Sequence, residues 1–397
     1  MAAARGLQDA HAAGGLVLMG ASHVIRIVTN GAVIGGWTGY HVDSSMITPA
    51  DQFELRRPFD AQAWNLLRRD SDVQIEIDGT PIVRGFVDRR QKSSKAGTMV
   101  ISGRDRAGRL VDESAPSIDY SGMTILQAFR SLADPWFGSI SLSDARNRKL
   151  RVGKGKRVAA GAEPTFAINV RVPRRGIVHP GEKRSQVMHE IAARAGVLWW
   201  SSADGKEIIV GKPHHNQQPQ YLLAHVKTGS SMEATVKDLT ITEDDGDRYS
   251  LIMCGGVGGA TPHDYGSNVT DRRGVVYDNF SNKIDGTGRD FIHPKRMFMP
   301  ERDFESYGDA SRVAANEQAR RDYKRHLVSI EAPLHGQFLD NGGPPTLFAP
   351  NTVARVVDEE LELDDTYLIV SCAYSSNRDQ GETTTMHMVP TGTEIIL

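Results

Sequence analysis

Residues 72–112 read DVQIEIDGTPIVRGFVDRRQKSSKAGTMVISGRDRAGRLVD. In the first six residues Val73, Ile75 and Ile77 alternate with Gln74 and Glu76, the period of a half-buried antiparallel strand with its apolar side chains on one face. Asp78-Gly79 is a two-residue turn signal. A second strand follows, then a polar tip over 92–97, and Met99 to Ser102 close the unit. Residues 352–390 repeat the plan: TVARVVDEELELDDTYLIVSCAYSSNRDQGETTTMHMVP. Strand, acidic turn, strand, Gly-bearing tip and strand recur in the same order. A chain that builds one β-unit twice can place two similar wedges in one ring. Replacing Ile75 with Asp is expected to unfold the first unit, because the inward face would bury an unpaired charge.

Outward from these units, the same signals extend to both ends. Before the first, HVIRIVTNG and AVIGGW flank Asn30-Gly31 as a hairpin, GWTGYHVDSSM alternates as a strand, DQFELRR is a short strand, and AQAWNLLRRD is one or two helical turns. After it, Ile125, Leu126, Phe129 and Leu132 make a helical stripe with Thr124 at its start. Val187, Ile191 and Ala195 make another, stopped by Gly196. LWWSSADGKEIIVGKP is a hairpin turning at Asp204-Gly205; Trp199 and Trp200 point to opposite faces, one toward a core and one toward an interface. LTITEDDGDRYSLIMCGG resumes strand pattern, residues 255–290 are poor in apolar anchors, and Ala310 to His326 is the longest helix candidate, with a thin apolar stripe. The fold class expected is mainly β with α+β modules: two tube-like β-barrels, an inserted α/β module and an outer excursion. The divisions are an N-terminal arm, 1–22; a first barrel, 23–112; an α/β module, 113–212; a second barrel from 213–260 plus 320–397; and an inserted loop and helix, 261–319.

The 397 residues suit two to four domains. Hydrophobic content is 39%, with 39 glycines and 18 prolines, which fits many strands and loops around modest cores. Two cysteines, Cys254 and Cys372, are too few for a disulfide framework and suit a reducing compartment; Cys372 reads as a small buried hydrophobe. Forty-seven basic residues against 49 acidic ones leave a net charge of −2, so no overall field draws the chain to phosphate backbones or anionic lipid. The apolar run over 12–21 is too short and Gly-rich to span a bilayer, and a single Arg5 makes a poor signal-peptide n-region, so no membrane anchor is expected.

Catalytic chemistry finds no footing. Met188-His189-Glu190 begins like a zinc-protease helix, but Ala193 stands where the second ligand belongs, leaving His189 a solvated helical histidine. His214 and His215 are neighbours in an extended linker and point apart. Gly255-Gly256-Val257-Gly258-Gly259 has Thr261 at the third fingerprint glycine, and Pro262 onward does not open a helix. Gly153-Lys154-Gly155-Lys156 lacks the first P-loop glycine (Leu150) and the magnesium-binding hydroxyl (Arg157). The basic stretches over 146–157 and 171–175 have no interleaved aromatics and read as solvated or partner-facing edges. Glu359/Glu360 and Asp364/Asp365 sit at hairpin turns, where carboxylates are solvated rather than tuned. No catalytic, cofactor-binding or metal-binding residue is assigned, no cofactor is expected, and the chain is read as a non-enzyme.

Four segments together resemble the phage baseplate hub proteins, the late-control or tail protein D-like family. Residues 37–53, WTGYHVDSSMITPADQF, resemble the family's opening; 77–114, with the Asp-Gly turn, Gly-Phe-Val-Asp strand and Gly-Arg-x-x-x-x-x-Leu-Val-Asp, its signature; 182–212 its helix and Trp hairpin; and 348–390 its closing strands. Residues 254–308 do not match it. The resemblance implies a structural protein of the virion, assembled in the host cytoplasm. It would form a homotrimer whose two wedges per copy give six around a ring. The ring would join the sixfold tail tube or distal tail protein to the threefold central spike, meet other baseplate proteins, and pass DNA without sequence-specific binding through a near-neutral or acidic bore. The readings set beside it are a receptor-binding protein, using the 255–308 excursion, and a cell-wall-degrading tail protein, which lacks a paired-carboxylate cleft.

Overall fold

The computed structural model describes residues 23–142, 178, 181–256, 272–277, 295–300, 307–337, 346–377 and 381–395. The expected N-terminal arm 1–22, the basic stretches 146–157 and 171–175, and most of the 255–308 excursion lie outside the described residues.

The chain opens with the hairpin of β1 (Ile25–Thr29) and β2 (Ala32–Ile34). Asn30 and Gly31 turn it with φ of 48° and 77°, the left-handed pair that a two-residue hairpin needs. Next come β3 (Gly39–Ser45), β4 (Gln52–Pro58) and α1 (Ala61–Leu66), capped by the Asp60 carboxylate. The meander β5 (Asp72–Ile77), β6 (Thr80–Ser93) and β7 (Thr98–Asp105) follows. Then α2 (Ala107–Asp112), α3 (Ile125–Ala133), β8 (Ser139–Leu142), α4 (Arg184–Ala195), β9 (Leu198–Ser201) and β10 (Glu207–Gly211) form the α/β module. Thr124 and Gln127 make the capping box of α3, and Gly196 closes α4 at φ 69°.

The return leg has β11 (Tyr221–His225) and β12 (Asp238–Glu243). A small sheet of β13 (Leu251–Gly256), β14 (Arg272–Tyr277) and β15 (Arg296–Pro300) is covered by α5 (Tyr307–Asp322). Gly274 lets α5 approach: a Cβ there would lie 2.1 Å from the Ala310 backbone. The expected second unit therefore gives up 251–256 to this sheet, and the segment expected as loop and helix carries two strands, whose partners are too far apart in sequence for local pattern to reveal. The chain finishes with β16 (His326–Ala332), the short pair β17 (Gly336–Gln337) and β18 (Thr346–Leu347), and the meander β19 (Thr352–Asp358), β20 (Leu363–Asn377) and β21 (Gly381–Pro390).

The molecule is mainly β, and the two meanders organise it. The first array runs β3-β4-β7-β6-β5-β1-β2 and the second β12-β16-β21-β20-β19-β11. Four consecutive antiparallel ladders match one for one; the fifth differs, since β1 lies antiparallel to β5 while β11 lies parallel to β19. Both long strands carry a bulge at the same place, between Val87 and Arg89 in β6 and between Ile369 and Ser371 in β20. Just before β5 and β19, Asp70 and Asn351 each have φ 63° and donate their N–H to the residue before the bulge, Val87 O or Ile369 O. The arrays are not separate bodies: β3 pairs with β20, so all thirteen strands form one hydrogen-bonded sheet.

One apolar core serves both arrays. Val73, Ile75 and Ile77 are each 0% exposed within it, as the alternation requires. A second core fills the α/β module around Phe129 and Trp199. His189, expected in solvent, is half-buried with its ring 5.1 Å from Trp199, since the helix face it occupies also packs on β9. Trp200 is buried too: with Leu198 and Ile209 it docks the module onto Val353, Leu368 and Val389 of the second array, so the interface it serves lies within the chain.

Candidate assembly surface

A cleft of about 710 Å³ opens where the arrays meet the α/β module, lined by residues including Ser45, Trp200, His214, Gln217, Asn351 and Tyr374. Among the described residues its wall holds no Asp, Glu, Lys, Arg or Cys. Ser45 Oγ accepts from the Ile47 and Thr48 amides, and Ser201 Oγ donates to the Asp105 carboxylate, which is itself buried. No metal-binding group of His, Cys, Asp or Glu occurs among the described residues. Cys254 and Cys372 are buried, and burial pushes the Cys372 thiol up, away from a reactive thiolate. The acidic turn residues are bonded rather than tuned: Asp364 pairs with Arg355, and Glu359 accepts from Ser230 Oγ and Lys227 N–H, which holds both low.

Two buried polar clusters escaped the sequence reading. Asp51 and Asp105 are 7% and 4% exposed, and the Asp105 amide donates to Asp51 O at 2.9 Å. Desolvation pushes Asp105 up to about 7 and, with the Asp105 charge, raises Asp51 as well. Closed over by Ser201 and the Gly108 amide, this acid pair reaches no solvent-borne substrate. The second cluster lies where the arrays join. His335 is 0% exposed, with Nε2 2.6 Å from Tyr40 Oη of β3 and Nδ1 2.8 Å from Thr384 Oγ1 of β21. Thr384 Oγ1 donates to Leu334 O, so Thr384 receives the Nδ1 proton and Tyr40 donates to Nε2. Burial pushes His335 down to about 4.

What the described surface offers instead is shape and open strand edges. Across β4, β7 and β6 the polar face curves into a cleft of about 260 Å³ lined by Glu54, Arg56, Arg89, Gln91, Thr98 and Ser102 among others. One carboxylate stands there against two guanidiniums. Beyond the bulge, β6 pairs only with β7 among the described residues, leaving its other edge open over 89–93. Arg89, Arg90 and Lys92 make that edge basic. Arg90 is fixed by donating to the Trp64 and Leu67 carbonyls, its guanidinium 4.3 Å from the Trp64 ring centroid. Beside it Phe59 is 45% exposed, with Lys92 Nζ 5.8 Å from its ring centroid. The outer edge of β12 is likewise unpaired among the described residues, and it runs into Glu243, Asp244 and Asp245. The opposed charge runs, DRRQK over 88–92 and EDDGD over 243–247, were visible in the sequence; that both lie on sheet edges was not.

Comparison with known proteins fits this picture. Residues 24–105 match the family described as Mu phage baseplate assembly protein GpP-like, N-terminal. A tail protein from Neisseria meningitidis MC58 shares the fold with a TM-score of 0.72 and 21% identity, over 94% of this chain and 98% of that one. The 43 kDa tail protein of prophage MuSo2 from Shewanella oneidensis gives 0.67 and 18%, over 93% and 99%. The prophage tail protein gp18 from Listeria monocytogenes EGD-e gives 0.54 and 9%, over 92% and 94%. None of the curated proteins compared matches the chain.

Proposed function

We propose that this phage baseplate hub-like protein, whose first array is GpP-like and whose fold is that of phage tail proteins, is the structural hub of a virion tail baseplate, acting as a homotrimeric ring. The observation that carries the reading is the duplicated array. Four matching ladders with a bulge at the same place give each copy two near-equivalent wedges, so three copies present six to a sixfold tail tube while keeping threefold symmetry for a central spike. Other baseplate proteins would meet the α/β module and the small sheet of β13, β14 and β15 on the outside.

The concave polar face over β4, β7 and β6 is the surface such a ring turns to its bore. It carries Glu54 against Arg56 and Arg89, a near-balanced set rather than an acidic one. DNA could cross it with few counterions released and without sequence readout. The one carboxyl pair raised among the described residues, Asp51–Asp105, is buried, which favours a structural role over a cell-wall-degrading one.

Sedimentation of the purified full chain tests this, together with negative-stain images. A trimer forming an annulus with threefold symmetry is expected, held by an interface on the order of 2,000 Å² or more. A protein that stays monomeric at high micromolar concentration would sink the ring.

A further inference from the structure

The ring reading says that copies meet; the contact within one chain says how. In β20, residues 363–369 pair with β19, and beyond the bulge 371–376 pair on the same side with β3. In β6, residues 80–86 pair with β5, and beyond the equivalent bulge 89–93 have that side open. The second array thus has its distal edge covered by a strand of the first, while the first array's distal edge awaits the corresponding strand.

Ladder partners identify that strand. Val42 of β3 lies opposite Phe53, Phe53 opposite Gly103, and Gly103 opposite Val87 before the bulge. Ile241 of β12 lies opposite Val328, Val328 opposite Met388, and Met388 opposite Ile369 before its bulge. So β12 stands in the second array where β3 stands in the first, and its outer edge is also open among the described residues.

We propose that β12 of one copy pairs antiparallel with the distal half of β6 of the next copy, in the register that β3 and β20 adopt within a chain. This rests on the ring reading above. Within the chain Ser45, Ser44, Asp43, Val42 and His41 face Ser371, Cys372, Ala373, Tyr374 and Ser375. Carried across, Asp244 faces Arg89, Glu243 faces Arg90, Thr242 faces Gln91, Ile241 faces Lys92 and Thr240 faces Ser93. Two opposite-charge pairs fall directly opposite one another, a favourable cross-strand arrangement. The charges have local partners too: Arg89 donates to Gln91, Arg90 donates to the Trp64 and Leu67 carbonyls, Glu243 lies 3.3 Å from His326 Nδ1, and Asp244 accepts from the Gly246 amide. None of these takes up the backbone groups of either edge. The half-exposed Phe59 beside Lys92 gives the incoming strand an apolar neighbour. Because one edge is basic and the other acidic, neither pairs well with itself, and a head-to-tail contact of this kind closes into a ring. Intrachain β3–β20 seams would then alternate with intercopy β12–β6 seams around six wedges.

The test uses the full chain with Gln91→Cys and Thr242→Cys together, placed opposite each other on the polar face that Gln91 lines. Its control is Gln91→Cys with Thr240→Cys, on the same face but two residues out of register. Native Cys254 and Cys372 are buried in both. Mild oxidation is expected to give a covalent trimer on a non-reducing gel for the first pair, at least tenfold more than for the second. A protein that is a trimer by mass but cross-links no better than its control overturns this seam and leaves the ring standing. A monomer overturns both. Should the cysteine variants fold poorly, Arg89→Glu with Arg90→Glu is expected to weaken trimer formation at least tenfold, and adding Glu243→Arg with Asp244→Arg to restore it. Loss without restoration counts against the seam.

Discussion

Asp51 and Asp105 show what one residue can do to the pH response of the whole fold. Both carboxyls are buried, and Asp105 is raised to about 7, above the ordinary carboxylate value of 3.8. A raised folded pKa means that the native state holds its proton more tightly than the unfolded chain. The stability contributed is full below pH 3.8 and is lost as pH rises through 7. Asp51→Asn keeps an oxygen to accept from the Ser45 amide but removes one of the two charges. The variant is expected to match the parent near pH 4 and to exceed it at pH 8 by on the order of 1–3 kcal/mol. Thermal unfolding at the two pH values reads the difference, and a variant less stable at pH 8 would contradict the pairing. This pair was not legible in the sequence. The residues stand 54 positions apart, and only the β4–β7 ladder brings them together. By contrast, the inward face of Val73, Ile75 and Ile77 was legible, because alternation is a local property of a strand.

At the scale of the element, the meanders came through clearly. Their turns are chemically marked: Asp78 and Gly79 have φ of 50° and 80°, and the opening hairpin turns on Asn30-Gly31 as read. The strand β5 is the place to test the inward face. Ile75 is 0% exposed and pairs with Val83 of β6 and Ile27 of β1. Ile75→Asp places a charge among the apolar side chains of that core, and a loss of about 3–5 kcal/mol is expected. Circular dichroism should show lost strand signal; a well-folded variant would mean that this face is not the core. What stayed hidden was the pairing between distant segments. β11 joins β19 in parallel across more than a hundred residues, and β13 collects β14 and β15 from the excursion. Neither partnership leaves a local pattern to read. One of Trp199 and Trp200 was read as an interface anchor, but both are buried within the chain, Trp200 against the surface around Leu368 and Val389.

For the whole molecule, the seam between the arrays is the weak point toward acid. β3 joins β20 there, and the buried His335 ties Tyr40 of the first array to Thr384 of the second. Burial holds His335 down at about 4, against an ordinary 6.5. With the folded value depressed, the unfolded chain takes up the proton first, so stability is full above pH 6.5 and is lost as pH falls through 4. Glu382 lies in the same cluster, accepting from His23 at 2.9 Å, and is likewise held low, which adds loss in the same direction on acidification. The Asp51–Asp105 pair acts in the opposite sense, so the two sites separate only by substitution. His335→Gln keeps an amide that can donate to Thr384 and accept from Tyr40, but does not titrate. It is expected to flatten the decline in melting temperature between pH 6.5 and 4.5, removing up to about 3 kcal/mol of pH-dependent loss. Hydrogen exchange at pH 5 should locate the parent's loss in β3 and the distal half of β20, while the β5–β6 ladder stays protected. An undiminished slope in the variant would mean that this histidine does not govern the seam.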